Sequence, residues 1–313
     1  MEPTGCSAAV ECVSYVTEPA HRLDLHQIYP WAMLKLLPGV ALTTVRAALV
    51  EARRATTEVL NGGNPSETFN RWHSWAANQR LQLRGLISEY DLDRLITSRL
   101  YWSLFGSNSN YIEGPTLTTT VQNEVTARQE ALDIELRTFD SDSLSWGNGN
   151  ALAIVPDTSV FIAMGGEFAD AEWHHLLDER PSVKVLVVVT MAALVELDGK
   201  KLSRDQTDHG VLVRTQVRAA LKRIEEIFYA NSARHSYEES GGFRNTTIAL
   251  LTDDLSHVPL ETADAEMVRR GLDLLPYAGR SKLVSYDLNQ TFRARAAGLE
   301  SSRLKYDYET ETA

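Results

Sequence analysis

The chain is poor in cysteine, in long apolar runs and in positive charge. Its only two cysteines, Cys6 and Cys12, are too few for a disulfide framework and lack the second pair or the histidines of a zinc site. No apolar run approaches the roughly 18 residues that a membrane-crossing helix needs. The early acids Glu2 and Glu11 do not fit the basic start of a signal peptide. We therefore expect a reduced, soluble, cytoplasmic protein without membrane attachment.

Two widespread motifs of nucleotide-binding and hydrolytic enzymes are also absent. The sequence contains no Gly-x-x-x-x-Gly-Lys-Ser/Thr phosphate loop, which excludes a P-loop NTPase. It also lacks the Gly-x-Ser-x-Gly elbow of the α/β-hydrolases. With a net charge of -11 over 313 residues, the chain does not attract a polyanion through its bulk charge. Any contact with nucleic acid must therefore be local and sensitive to salt.

Residues 1–140 have the composition and the periodicity of a helical domain. Residues 41–60 are rich in helix-forming side chains and stop at Asn61-Gly-Gly-Asn-Pro, a strong helix breaker. Apolar side chains then recur at helical spacing, starting with Trp72 and Trp75. We interpret these stripes as packing surfaces, which predicts an all-α first domain. The sequence leaves three roles open for it: substrate selection, self-association or covering of a site.

The end of this helical region is marked by polar segments. The spacing predicts a loop over residues 106–120 and one further helix over residues 121–137. Residues 141–150 are polar and rich in glycine, and we predict that they form a linker between two domains. At the other end of the chain, residues 301–313 are polar and acidic, which predicts a flexible tail.

Between residues 151 and 300, strand-like and helix-like segments alternate. The runs that suit buried parallel strands are residues 151–156, 183–189, 246–251 and 282–286. The segments with helical character are residues 168–179, 192–202, 207–229 and 262–275. Such alternation implies right-handed crossovers and a sheet covered by helices on both faces. The predicted fold class is therefore α/β, a three-layer α/β/α domain with a mostly parallel sheet that follows the all-α domain.

Four acids in this second half follow strands or begin helices. Asp157 comes directly after the strand at 151–156, and Glu196 lies in the helix after the second strand. Asp264 begins a helix, and Asp287 follows the last predicted strand. A parallel sheet gathers such residues along the edge formed by the carboxyl ends of its strands. Carboxylates without basic partners repel one another unless a divalent cation lies among them, so the pattern points to metal-dependent chemistry.

Four segments that contain these acids resemble PIN-domain nucleases in order and spacing. They are Val155-Pro-Asp-Thr-Ser-Val-Phe-Ile162, the run from Val188 to Lys201, the run from Thr262 to Val268, and the run from Leu283 to Gly298. A strand that ends in Asp-Thr-Ser occurs in many α/β proteins, so the signal rests on the four segments together. The resemblance covers residues 151–300 and does not reach the helical first half.

The resemblance implies a compact α/β/α sandwich that cleaves RNA, or less often DNA, with Mg²⁺ or Mn²⁺. Carried over to the matching positions, it makes Asp157, Glu196, Asp264 and Asp287 the metal-binding and catalytic acids, with Asp157 as the central ligand. The implied function is that of an endoribonuclease in which a metal-activated water hydrolyses the phosphodiester bond. RNA is the expected substrate, and single-stranded DNA is the other candidate. The alternative is an inactive PIN-like module that binds nucleic acid or a protein partner.

Hydroxyl and basic side chains near the acids are candidates for substrate contacts. The substrate-binding set is Thr158, Ser159, Lys200, Lys201, Arg293 and Arg295. An acidic protein that cleaves a polyanion must keep a basic local path to its metal, which favours the four cations of this set. Hydroxyls beside strand ends also satisfy backbone groups, so the first two residues have a structural role open to them. Ser285 is a further candidate, which would orient the acid beside it.

Rival interpretations of the acids remain open at the level of the sequence. Asp157 also fits the cap of the helix that follows its strand, and the third acid suits the first turn of a helix whatever its function. Asp198 competes with Glu196 as the ligand contributed by the second helix. Asp253-Asp254 ends another strand-like run and competes with Asp287, although the residues that follow it do not resemble the family.

Overall fold

The computed structural model describes residues 33–61, 64–106, 114–202, 207–229, 237–238, 245–253 and 257–305. Contacts between backbone positions group residues 32–313 into one compact unit. The domain boundary that we predicted at residues 141–150 falls inside this unit. Both cysteines and most of the predicted acidic tail lie outside the described residues.

Helices fill the described chain before residue 146. They are α1 (Leu42–Val59), α2 (Pro65–Leu83), α3 (Glu89–Leu95), α4 (Arg99–Gly106) and α5 (Gly114–Ser145). Asn64 caps α2 by accepting a hydrogen bond from the backbone N–H of Glu67, and a proline follows the cap at the first helical position. Trp72 and Trp75 are buried, as the helical periodicity predicted. The all-α character of a separate first domain stays a prediction.

Several predicted boundaries are corrected by the structure. The loop predicted over residues 106–120 is too long, because α5 already begins at Gly114. The predicted linker at 141–150 is helical up to Ser145, where Asp142 and Ser143 are buried despite their polarity. The predicted tail contributes a strand from Glu300 to Arg303. Residues 114–120, 141–145 and 301–303 are polar enough to look like loops, and in the described structure they belong to helix or strand instead.

A six-stranded sheet forms the second half of the molecule. Its strands are β1 (Ala151–Pro156), β2 (Lys184–Thr190), β3 (Tyr237–Glu238), β4 (Thr246–Leu251), β5 (Gly279–Ser285) and β6 (Glu300–Arg303). The order across the sheet is β3-β4-β2-β1-β5-β6, with β3 antiparallel and the other five strands parallel. The four predicted strands correspond to β1, β2, β4 and β5. The α/β class and the parallel sheet are thus confirmed.

Helices connect and cover these strands. They are α6 (Thr158–Met164), α7 (Trp173–Leu176), α8 (Met191–Lys201), α9 (Asp208–Phe228), α10 (Ala263–Ala278) and α11 (Leu288–Ala296). The arrangement is consistent with three α/β/α layers. The single helix predicted over residues 168–179 is wrong, because a 3₁₀ turn at Gly165–Ala169 and the short α7 take its place. No described helix is long and apolar enough to cross a lipid bilayer.

The helices of the first half share their core with the sheet. One continuous cluster of buried apolar side chains includes Trp72 in α2, Phe139 in α5 and the strand residue Ile154. The rings of Phe139 and Tyr277 lie 5.8 Å apart, and the Tyr277 hydroxyl donates a 2.7 Å hydrogen bond to the Leu34 carbonyl. Aromatic packing and a buried hydrogen bond thus join the two halves.

Glu135 is the most buried acid among the described residues of the helical half. Its side chain is fully buried in α5 and lies 2.7 Å from the guanidinium of Arg94, which also pairs with Asp91. Burial raises the pKa of Glu135 from 4.5 to about 6, because the loss of solvent outweighs the attraction of Arg94. The folded state therefore holds a proton on Glu135 more tightly than the unfolded chain does.

We expect Glu135→Gln to remove a pH-dependent loss of stability. The stabilising contribution of protonated Glu135 is complete below pH 4.5 and is lost as pH rises through about 6. A shift of this size corresponds to about 2 kcal/mol. In urea unfolding, the variant should match the natural protein near pH 4.5 and exceed its stability by about that amount at pH 7.5. Glu130→Gln, the same substitution at an exposed position of the same helix, should produce no such difference; equal pH profiles for Glu135→Gln and the natural protein would contradict the prediction.

Candidate functional site

The direction in which successive strands are added to the sheet reverses at β1. From β1 the chain adds β2 and then β4 on one side, whereas β5 and β6 are added on the other side. Asp157 follows β1 directly, and a single residue separates Asp287 from the end of the neighbouring strand β5. Open α/β sheets place their sites at such a switch point, because the loops on either side diverge there and leave a crevice.

Asp157 is held by three hydrogen-bond donors at the end of β1. Its Oδ1 accepts from the backbone N–H of Val160 at 3.2 Å and from the hydroxyl of Ser159, and its Oδ2 accepts from the hydroxyl of Ser285. The residue is only 4% exposed. Burial raises the pKa of Asp157 above its ordinary value, and the two serine hydroxyls oppose the rise. Asp157 thus caps α6 as one interpretation predicted, and its carboxylate is fixed in one orientation.

Two serines tie the end of β1 to the end of β5. Ser159 accepts a 3.0 Å hydrogen bond from the backbone N–H of Tyr286, and Ser285 accepts one of 2.8 Å from the N–H of Asp287. Both hydroxyls donate to Asp157. Ser285 was predicted to orient the acid beside it, but its hydroxyl orients the carboxylate of Asp157, which lies 128 residues away in the sequence.

Glu196 reaches the same region from the second turn of α8. Its Oε2 accepts a 2.6 Å hydrogen bond from the hydroxyl of Thr158, the residue after Asp157. Its Oε1 lies 3.2 Å from Nζ of Lys200, one helical turn away. Asp198, the rival of Glu196, is more exposed, and its Oδ1 lies 3.9 Å from Nζ of Lys201. The contact with Thr158 therefore favours Glu196 as the acid that faces the end of β1.

Asp264 and Asp287 complete the acidic edge. Burial and then the charge of Glu196 raise the pKa of Asp264 above its ordinary value, and Asp287 raises it further. The like charges are therefore close enough to act on one another. Asp287 is exposed, and its Oδ1 caps α11 through the backbone N–H of Asn289 at 2.8 Å. The pKa of Asp264, in α10, is thus affected by one acid in α8 and one acid that follows β5.

Two of the four predicted substrate-binding cations contact these acids. Nη1 of Arg293 lies 3.3 Å from Oδ2 of Asp264, and Lys200 pairs with Glu196. Lys201 pairs instead with Asp198, and Nε of Arg295 donates a 3.0 Å hydrogen bond to Ser301. Thr158 and Ser159 use their hydroxyls on the acids themselves. Of the six predicted substrate-binding residues, four thus contact the acids, namely Thr158, Ser159, Lys200 and Arg293. Lys201 and Arg295 contact other residues.

Gln290 is a positioning residue that the sequence did not reveal. Its side chain is 1% exposed, and Nε2 donates a 2.9 Å hydrogen bond to the backbone carbonyl of Asp264. This contact joins α11 to the first turn of α10. Nothing in the sequence marks this glutamine, because its partner lies 26 residues away.

A second group of metal-ligand side chains lies at the end of β4. Within the described part of the chain, only Asp253, His257 and Glu266 have ligand atoms that all lie within 4.8 Å of one another. The guanidinium of Arg270 already donates to Asp253 at 2.6 Å and lies 3.0 Å from Glu266. The sequence singled out Asp253 but not its two companions. Arg270 bridges both acids, so a cation bound by this group would have to compete with its guanidinium.

No three of the four acids at the carboxyl edge have ligand atoms that all lie within 4.8 Å of one another, so these acids do not close on a single ion. Their chemistry nevertheless fits a hard divalent cation, because all the donors are carboxylate oxygens and the charges around Asp264 repel one another. Mg²⁺ keeps several of its waters and needs only one or two direct carboxylates, so the remaining acids can act through water. Asp157 is the best direct ligand, since it is buried and no salt bridge occupies it within the described residues.

Comparisons with known proteins do not add to this assignment. No protein-family model, no curated protein and no solved structure matches the chain.

Proposed function

We propose that this protein is a PIN-like, Mg²⁺- or Mn²⁺-dependent nuclease whose metal ligands are Asp157, Glu196, Asp264 and Asp287. The observation that carries the proposal is geometric: Thr158, the residue after the buried Asp157, donates a hydrogen bond to Glu196 at the switch point of a parallel sheet. The charges of Glu196 and Asp287 in addition raise the pKa of Asp264. Lys200 and Arg293 balance only two of these four carboxylates, and a set of carboxylates with excess negative charge favours a divalent cation.

The chain's own residues would perform distinct tasks in hydrolysis. A divalent cation among the acids supplies a nucleophilic water near neutral pH and relieves negative charge on the phosphate oxygens. Ser159 and Ser285 keep the carboxylate of Asp157 in one orientation, which avoids the cost of reorganising it during the reaction. Lys200 and Arg293 lie at the rim of the acids, where cations bind the phosphates of a substrate.

The direct test is digestion of a mixed pool of RNA and single-stranded DNA. We expect cleavage with added Mn²⁺, no cleavage with a chelator, and faster loss of RNA than of DNA. Products with internal ends would establish endonucleolytic action, the mode expected from the resemblance. Absence of any cleavage by pure protein across Mg²⁺ and Mn²⁺ concentrations would contradict the proposal.

A binding module without activity is the second candidate. It is favoured by the ion pairs that Lys200 and Arg293 form with two of the acids, since such pairs also stabilise a fold without metal. The two candidates differ in their response to metal alone. A nuclease site should raise the melting temperature as Mn²⁺ accumulates, because a ligand that binds only the folded state stabilises it. A binding module should show no Mn²⁺-dependent rise.

A further inference from the structure

Two cationic side chains lie against carboxylate oxygens that the proposed metal would need as ligands. Nζ of Lys200 lies 3.2 Å from Oε1 of Glu196, and Nη1 of Arg293 lies 3.3 Å from Oδ2 of Asp264. Both cations also oppose the repulsion that Glu196 and Asp287 exert on Asp264. In the protein without metal, the two side chains therefore act as internal counter-ions.

These two ion pairs are weak enough to be exchanged. The side chains of Lys200 and Glu196 are 40% and 32% exposed, and those of Arg293 and Asp264 are 58% and 43% exposed. The distances are longer than the roughly 2.7–2.9 Å of strong charge-assisted hydrogen bonds. Exposed pairs of this kind alter an equilibrium by at most about fivefold. A divalent cation with several carboxylate ligands can therefore displace both of them.

The displaced cations would remain beside the site. Lys200 is anchored in the last turn of α8 and Arg293 in the last turn of α11, and each carries a long side chain whose head can move by several ångströms. A metal ion repels both heads because the charges have the same sign. The nearest new anion is then a phosphate of the substrate that the metal itself attracts.

We propose that Lys200 and Arg293 are exchangeable counter-ions, which neutralise Glu196 and Asp264 before metal binds and bind substrate phosphates afterwards. This inference rests on the proposed nuclease function. The exchange makes metal binding and phosphate binding cooperative. A bound metal moves Lys200 and Arg293 away from the acids and toward the phosphate, and a bound phosphate keeps them there. Such coupling is reciprocal. Loss of either cation should therefore have opposite effects on the two ligands.

The first measurement is calorimetric titration with Mn²⁺ alone. Lys200→Gln and Arg293→Gln should each bind Mn²⁺ about two- to fivefold more tightly than the natural protein, because a competitor for the carboxylates is gone. Lys201→Gln and Arg295→Gln are matched controls from the same two helices. The partners of these two side chains, Asp198 and Ser301, lie outside the acidic set. The two control variants should therefore bind Mn²⁺ with the affinity of the natural protein.

The second measurement is cleavage of a single-stranded RNA oligonucleotide at saturating Mn²⁺. Both variants should show a KM raised about three- to tenfold with a smaller change in kcat, because a phosphate contact is lost outside the reacting bond. The slope of log affinity against log salt should fall by about 0.7 for each lost contact with a single strand. A side chain that only supports the fold would change neither the salt slope nor the Mn²⁺ affinity in this direction.

The outcomes separate this inference from the proposed function. If the natural protein binds Mn²⁺ and cleaves RNA while both variants bind Mn²⁺ equally or more weakly, the exchange is refuted and the nuclease assignment stands. If the natural protein binds no Mn²⁺, both are refuted. Tighter Mn²⁺ binding together with weaker RNA binding in the variants supports the exchange.

Discussion

Asp157→Asn should abolish metal-dependent cleavage while the protein remains folded. Asparagine keeps the shape of the side chain, and its carbonyl oxygen still accepts from Val160 and Ser159, but the charge that attracts a divalent cation is lost. Even residues that merely support a metal ligand cost about 10- to 100-fold when they are replaced, so loss of the central ligand should lower kcat/KM by more than about a hundredfold. Cleavage assays with Mn²⁺ measure this loss directly.

The stability of this variant distinguishes loss of a ligand from loss of the fold. Burial raises the pKa of Asp157, so its ionised form is less favourable in the folded state than in the unfolded chain at neutral pH. We therefore expect the melting temperature of Asp157→Asn without metal to equal or exceed that of the natural protein. The rise that Mn²⁺ causes in the natural protein should disappear. Full cleavage by the pure variant would refute the assignment of Asp157, and a collapsed melting temperature would show that its role is structural.

The second large effect, a loss of folding stability, is expected at Gly279, where the chain passes from α10 into β5. Its φ of 91° lies in the left-handed region that side chains rarely adopt, and a Cβ there would come within 2.1 Å of the carbonyl oxygen of Gly149. The backbone of Gly149 is itself fixed, because its N–H donates to the Tyr277 carbonyl. Gly279→Ala must therefore combine backbone strain with a clash between two backbone segments, and we expect a loss of at least about 3 kcal/mol.

Gly298→Ala is the matched control for this substitution. Its φ of 85° is similar, but a Cβ at this position would meet nothing within 4 Å. Strain alone should cost about 1–2 kcal/mol there. Chemical denaturation of both variants should show a clearly larger loss for Gly279→Ala. Equal losses would mean that the junction near Gly149 adjusts without cost, and that the close approach of the two backbones is not a constraint.

The exchange of counter-ions has a consequence for measurements of the site. Because Lys200 and Arg293 lie on two of the four acids, the site can bind a divalent cation only in competition with two ion pairs. Its affinity for metal should rise when substrate is present, since coupling of two ligands acts in both directions. Mn²⁺ titrations with and without RNA are therefore more informative than either titration alone.

Much of the second half could be predicted because its signals are local. Strand β1 is a run of apolar residues that ends at Asp157, and α8 follows a threonine cap at Thr190. Four strands and the parallel sheet follow from such runs and from their alternation with helices. The polar strand β6 could not be predicted in this way, because an edge strand pairs through its backbone and its side chains need not be apolar.

The order of the four acids could also be read from the sequence, whereas the residues that form ion pairs or hydrogen bonds with them could not. Glu196 and Lys200 are four residues apart on one helix, a spacing at which side chains meet. The contacts of Arg293 with Asp264 and of Ser285 with Asp157 join residues 29 and 128 positions apart, and no local pattern encodes them. They arise only when the sheet brings the ends of separate strands to one edge.

The sequence by itself thus determined four of the six described strands and the order of the four acids, since both depend on neighbouring residues and on the covalent order of the chain. The tertiary structure alone decided which cations lie on those acids, which hydroxyls orient Asp157, and where Gly279 allows two backbones to approach. The physical reason is that Coulomb forces, hydrogen bonds and steric contact act through space over a few ångströms, and only the folded chain fixes those distances.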